Sequence, residues 1–177
     1  VNYGLVNGMS TRKDTVVFLD DILNEARDTM HDVMRANPDR YAEIADPART
    51  ADILGVSAVV VQDMSAKRIK DYDFRMDRMT QFEGDTGPYL QYAHTRLSSI
   101  PRKTGVTLEG GAVDYSLLSE KEAMDLAVMV ARFPDIVQEA RLSLEPCAVV
   151  SYLMALARQV STCLDRLYVM GQPADLA

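Results

Sequence analysis

A chain of 177 residues, 47% of them hydrophobic, is long enough to bury a sizeable core and too apolar for a disordered tail. Its net charge of −7 argues against a protein that grips nucleic acid over its whole surface, so any RNA contact is expected to be local. Its two cysteines, Cys147 and Cys163, are too few for a disulfide framework, and its greasiest runs, residues 56–61 and 147–156, fall short of the roughly 20 residues a membrane span needs.

Valine stands at position 1 with no basic and apolar leader behind it, so no secretory signal is read and the chain is expected to be cut from something longer. The β-branched and aromatic run at residues 15–19 predicts a short strand, and Asp20 and Asp21 after it are placed to cap and charge a helix N-terminus. In that helix Ile22, Leu23, Ala26, Met30, Val33 and Met34 recur at three- and four-residue spacing until Asn37-Pro38. Asp46-Pro47, a cap followed by a first-turn proline, opens a second helix whose run from Ala51 to Val61 is too continuously apolar to leave much surface in water. Residues 67–74 alternate polar with apolar, as an edge strand does, and residues 76–82 support at most two helical turns. Gly84-Asp85-Thr86-Gly87-Pro88 then breaks the pattern and is the best boundary in the chain.

Past the break, Pro88 suits the first turn of a helix carrying Tyr89, Leu90, Tyr92, Ala93, Leu97 and Ile100, ended by Pro101. Ser119-Glu120-Lys121-Glu122 has the form of a capping box, heading a helix that reaches about Phe133. Pro134 starts a shorter helix, and Pro146 a long one whose apolar stripe includes Val149, Val150, Leu153, Ala157, Val160 and Leu164, closed by Gly171. The chain is therefore predicted to be mainly α with small β content, its second half a helical bundle.

Two places carry candidate chemistry. Met9, Ser10, Thr11, Arg12 and Lys13 form a small loop with two hydroxyls and two adjacent cations, which suits a polyphosphate because the cations neutralise charge on its oxygens. A solvated basic turn reads the same way. Tyr89 and Tyr92 share a helix face with Arg96, so they offer stacking surfaces and charge to unpaired bases, although tyrosines at a domain junction are as often amphipathic core residues. Glu83 and Asp85 have no nucleophile beside them and read as loop and cap residues. His31 and His94 lack partners at ligand spacing, so no metal is proposed.

In this order, GMSTRKDTVVFLDDILNEA, ADILGVSAVVVQDM, DYDFRMDRM and FEGDTGPYLQYAHTRLSSI resemble eukaryotic cytosolic, especially fungal-type, arginyl-tRNA synthetases. The resemblance covers essentially the whole chain and is strongest over residues 9–100. It implies that residues 1–84 are the C-terminal part of a class I catalytic domain and residues 85–177 an all-α anticodon-binding bundle, truncated at its end. By the same resemblance, Met9, Ser10, Thr11, Arg12 and Lys13 are the second signature loop over ATP, with Arg12 and Lys13 as electrostatic stabilisers of the departing pyrophosphate and Mg2+ carried on the nucleotide. Gly8 replaces the loop's usual leading lysine, and Asp14 stands where the family has glycine, a change expected to weaken the two cations. Tyr89, Gln91, Tyr92, Arg96, Arg102 and Lys103 are the implied contacts to tRNA(Arg).

The resemblance further implies a cytoplasmic, monomeric parent enzyme that uses ATP, arginine and tRNA without a membrane. The first signature and the arginine pocket are missing from these residues, so the piece alone is expected not to activate arginine, and an uncovered bundle face is expected to promote self-association. The rival reading is a non-catalytic helical module, binding RNA or protein, derived from such an enzyme.

Overall fold

The computed structural model describes residues 2–8, 18–105, 116 and 118–167, and these are mainly helical. The first helix, α1 (Leu19–Arg35), buries Ile22, Ala26, Met30 and Met34, one residue per turn, as the spacing predicts. Phe18 and Leu19 are not strand: Phe18 is the extended N-cap, and Asp20 and Asp21 lie inside the first turn, where carboxylates still meet the positive helix end without capping it. Residues 15–17 of the predicted strand lie outside the described residues.

Asn37-Pro38 ends α1 and also opens a short helix, α2 (Pro38–Ala42), in which the Asn37 side chain accepts from the Arg40 amide at 3.2 Å. Asp46 caps α3 (Pro47–Met64) as expected, its Oδ1 accepting from the Arg49 amide at 3.0 Å. Met30 and Met34 pack on Ala51 and Leu54 to form one core cluster, with Tyr41, Ile44 and Phe82 against it. Ala26, Ala58 and Met79 form a second. The expectation that α3 is buried nearly all round is corrected, because Ile53, Val56 and Val60 are exposed. The buried residues of α3, namely Ala51, Leu54, Gly55 and Ala58, lie at three- and four-residue spacing along one side.

The predicted edge strand shrinks to β2 (Tyr72–Asp73), which pairs in parallel with β1 (Val6–Asn7), Val6 opposite Tyr72 and Asn7 opposite Asp73. Before it, the Lys70 amide donates to the Lys67 carbonyl at 2.8 Å, a turn that uses up the residues an edge strand would need. The Tyr72 hydroxyl donates to Asp63 Oδ1 at 2.9 Å, and burial together with that carboxylate raises the phenol well above its usual range. A single turn, α4 (Met76–Met79), buries Met79 and leads to the Gly84–Pro88 break.

The helix α5 (Gly87–Thr104) is capped by Thr86, whose Oγ1 accepts from the Tyr89 amide at 3.2 Å and donates to the Gln81 carbonyl at 2.6 Å. Pro101 does not end α5. It lies inside the last turn on an exposed side, where the lost backbone bond is open to water, and the helix runs on to a left-handed Gly105. At its start, a Cβ on Gly87 would come within 2.1 Å of the Ser57 carbonyl oxygen, so only glycine lets α5 lie this close to α3.

Three further helices complete the described chain: α6 (Lys121–Ala131), α7 (Phe133–Ser143) and α8 (Cys147–Arg166). The Ser119 capping box does not form: Glu120 is the N-cap, with no side-chain cap bond. The Glu122 carboxylate instead meets Arg166 of α8 at 3.0 Å, and the Glu122 carbonyl accepts from Gln159 Nε2 and the Cys163 thiol, each at 3.1 Å. Burial raises the Cys163 thiol above its usual range, which keeps the proton it donates there. The α8 core side is Val150, Tyr152, Met154, Ala157, Val160 and Cys163, with the Tyr152 hydroxyl donating to the Met129 carbonyl at 3.0 Å. By length and composition α8 could cross a membrane, contrary to the reading of its N-terminal run as too short, but here it packs against α5, α6 and α7. The predicted closure at Gly171 lies outside the described residues.

Candidate nucleic-acid interface

The aromatic and cationic residues of α5 sort into two sides. From Tyr89, three- and four-residue steps reach Tyr92 and Arg96, and Lys103 lies about two turns further along the same face, whereas Gln91 and Arg102 project from the opposite side. Tyr92 is 45% exposed, and the Arg96 guanidinium carbon lies 6.0 Å from the centre of its ring. Arg96 also faces Asp165 of α8 at 3.8 Å, so the cation is held between the exposed ring and the bundle. Tyr89 is half-buried and Lys103 exposed. A ring open to solvent beside a fixed arginine and a lysine further along is a surface on which an unpaired base can stack while a phosphate is neutralised.

Gln91 belongs to the joint instead: its Nε2 donates to Ser57 Oγ of α3 at 2.9 Å, next to the close approach of Gly87. Arg102 is exposed and turns its Nε onto the Ser98 carbonyl at 3.1 Å, within its own helix. Met9, Ser10, Thr11, Arg12 and Lys13 lie outside the described residues.

Asp85 pairs with Arg158 of α8 at 2.5 Å rather than capping α5, the role that Thr86 takes. Beneath this loop is a cavity of about 340 Å³ lined by Gln62, Asp73, Arg75, Arg78, Gln81 and Glu83, among others. Arg75 is already paired with Asp77 at 2.8 Å, so the cavity offers mixed charge rather than a cationic cradle. Among the described residues no three His, Cys, Asp or Glu side chains gather as a metal site. His31 Nε2 is 2.9 Å from the Tyr41 hydroxyl, the bond of a packed histidine.

Sequence reasoning did not foresee three contacts that hold the Gly84–Pro88 break and the helices after it to their neighbours. They are Gln91 to Ser57, Arg158 to Asp85, and Glu145 to Arg68, whose backbone N–H donates to Glu145 Oε2 at 2.9 Å. None has a local signal, because each joins residues brought together only by the packing of α3, α5 and α8.

Residues 1–76 match the family model for the catalytic domain of class I (R) tRNA synthetases, and residues 90–177 match the DALR anticodon binding domain. The chain is 51% identical to the cytoplasmic arginine–tRNA ligase of Saccharomyces cerevisiae and 52% identical to a probable cytoplasmic arginine–tRNA ligase of Dictyostelium discoideum, in each case over 100% of this chain and 30% of the relative. The mitochondrial arginine–tRNA ligase of Saccharomyces cerevisiae is 45% identical over 100% of this chain and 28% of its own length. The solved arginyl-tRNA synthetase of Thermus thermophilus superposes with a TM-score of 0.77 at 32% identity, covering 97% of this chain and 28% of that one. The chain thus spans under a third of the length of these relatives.

Proposed function

The chain belongs to the arginyl-tRNA synthetase family, and from that premise we propose that it serves an enzyme that activates arginine with ATP and transfers it to tRNA(Arg). The observation that carries the proposal is the succession, in one chain, of a segment like the arginine-type catalytic domain and a segment like the anticodon-binding domain, aligned from end to end with arginine–tRNA ligases. We draw the division at the Gly84–Pro88 break, residues 1–84 being the catalytic end and residues 85–177 the tRNA-binding bundle.

In the first step a carboxylate oxygen of arginine attacks the α-phosphorus of ATP, the α–β phosphoanhydride breaks, and pyrophosphate leaves. Negative charge grows on the leaving phosphates, and Arg12 and Lys13 are assigned to neutralise it, with Met9, Ser10 and Thr11 holding the nucleotide through backbone and hydroxyl groups. Mg2+ arrives with the ATP phosphates as part of the substrate. In the second step a ribose hydroxyl at the tRNA end attacks the adenylate carbonyl and AMP leaves.

Tyr89, Tyr92, Arg96 and Lys103 are assigned to the tRNA, with Tyr92 as the stacking residue, because they share one face of α5. Gln91 and Arg102, which the sequence also suggests, keep at most a secondary part, since they project from the other side. By the same reading the parent enzyme acts in the cytoplasm, which the names of its cytoplasmic relatives support, and it works as a monomer. The test uses the full-length enzyme: it is expected to charge tRNA with arginine in the presence of ATP, and Lys13→Ala is expected to lower kcat by roughly 10²- to 10³-fold. An unchanged kcat in that variant sinks the assignment of the loop.

A further inference from the structure

We infer that Glu145, at the corner between α7 and α8, is a positioning residue: it fixes the backbone of the Arg68 turn and thereby the strand β1 that leads into residues 9–13. The inference rests on the proposed reading of residues 9–13 as the ATP loop. Glu145 Oε2 accepts from the Arg68 backbone amide at 2.9 Å in a partly buried place, joining residues far apart in the chain. The carbonyl of the same Arg68 accepts from the Gly4 amide at 2.8 Å. One peptide segment is therefore held by the bundle on its N–H side and holds the entry to β1 on its C=O side.

The bonds continue in step along β1. Asp71 Oδ1 accepts from the Leu5 amide at 2.6 Å, the Tyr72 amide donates to the Leu5 carbonyl at 3.1 Å, and the Phe74 amide donates to the Asn7 carbonyl at 2.8 Å. A Cβ on Gly4 would lie 2.1 Å from the Lys70 carbonyl oxygen, so the two backbones are in direct contact and a shift of the turn moves the strand.

The corner is a left-handed helix end. Leu144 sits in the left-handed region at φ 56°, a conformation side chains with a Cβ resist, and at 60% exposed it buries little surface to offset the strain. The left-handed turn closes α7, with the Glu145 amide donating to the Ala140 carbonyl at 3.2 Å, and the Glu145 side chain, only 18% exposed, lies against Arg68. The side-chain arm of the contact is slack: Arg68 Nη2 is 3.9 Å from Glu145 Oε1, and Arg68 Nε is buried with no hydrogen-bond partner among the described residues. The backbone arm carries the link, so an acceptor at position 145 matters and the Arg68 side chain matters little.

Arginine-dependent ATP–pyrophosphate exchange by the full-length enzyme, in the presence of tRNA, tests this with four variants. Glu145→Ala is expected to lower kcat/KM for ATP about tenfold while leaving KM for arginine and affinity for tRNA close to those of the parent, with a modest fall in the melting midpoint because the part-buried Arg68 N–H loses its acceptor. Glu145→Gln, which keeps an acceptor oxygen, and Arg68→Ala, which keeps the N–H, are expected to stay near the parent. Lys13→Ala reports on the loop itself. If it impairs ATP use while Glu145→Ala does not, the link is overturned and the loop assignment stands. If Lys13→Ala is also silent, the loop assignment fails and takes the link with it. Loss of every substrate parameter and of the melting midpoint together in both Glu145 variants would show a merely structural residue and overturn the inference.

Discussion

Two helix starts show how the local signals of single residues succeed or fail. Asp46 caps α3 as its sequence foretells, because the acceptor and the Arg49 amide are three residues apart and no other hydrogen bond among the described residues competes for either. Ser119 and Glu122 carry an equally good local signal, yet Arg166 draws the Glu122 carboxylate away, a competitor that sequence spacing does not reveal. Leu144 is legible only in the structure, since no pattern marks a leucine for the left-handed region. Because its strain is not offset by burial, Leu144→Gly is expected to raise stability by about 1 kcal/mol in chemical denaturation, without changing the shape of the transition. A loss of stability would mean that the leucine side chain makes contacts worth more than the strain.

The helices themselves were largely legible, for the physical reason that three- and four-residue spacing and proline-plus-cap starts are local properties. This holds for α1, α3 and α8. The strands were not, because β1 and β2 are two residues each and exist only through pairing across the chain. The faces of α5 were partly legible: the spacing put Tyr89, Tyr92 and Arg96 together, but it could not show that Gln91 is bound to Ser57. The crossing of α5 and α3 rests on Gly87, and an added methyl there meets backbone rather than a movable side chain. Gly87→Ala is expected to cost roughly 2 to 4 kcal/mol, because the helices must separate and break the Gln91 contact. Denaturant unfolding measures it, and a change within about 0.5 kcal/mol would show that the crossing is looser than described.

At the scale of the molecule, the α5 helix packs on α3 at its start and on α8 beyond, and the Asp85–Arg158 and Arg68–Glu145 contacts reinforce that join. The bundle side is less complete: Met124, Val128, Val130, Val137 and Leu142 of α6 and α7 are exposed. Exposed apolar side chains in this number promote association, so the 177-residue segment on its own is expected to sediment as dimers or larger species whose weight falls on dilution. A concentration-independent monomer would contradict that expectation.

The most direct measurement of the central claim is arginine charging of tRNA by the full-length enzyme, with the KM for tRNA compared between the parent, Tyr92→Ala and His94→Ala. Tyr92 lies on the aromatic face of α5 and exposed His94 lies away from it. The expected result is arginine transfer by all three, with the KM for tRNA raised only in Tyr92→Ala, by the equivalent of roughly 1 to 3 kcal/mol. No arginine transfer by the parent, or a correctly folded Tyr92→Ala with the parent's KM for tRNA, would contradict it.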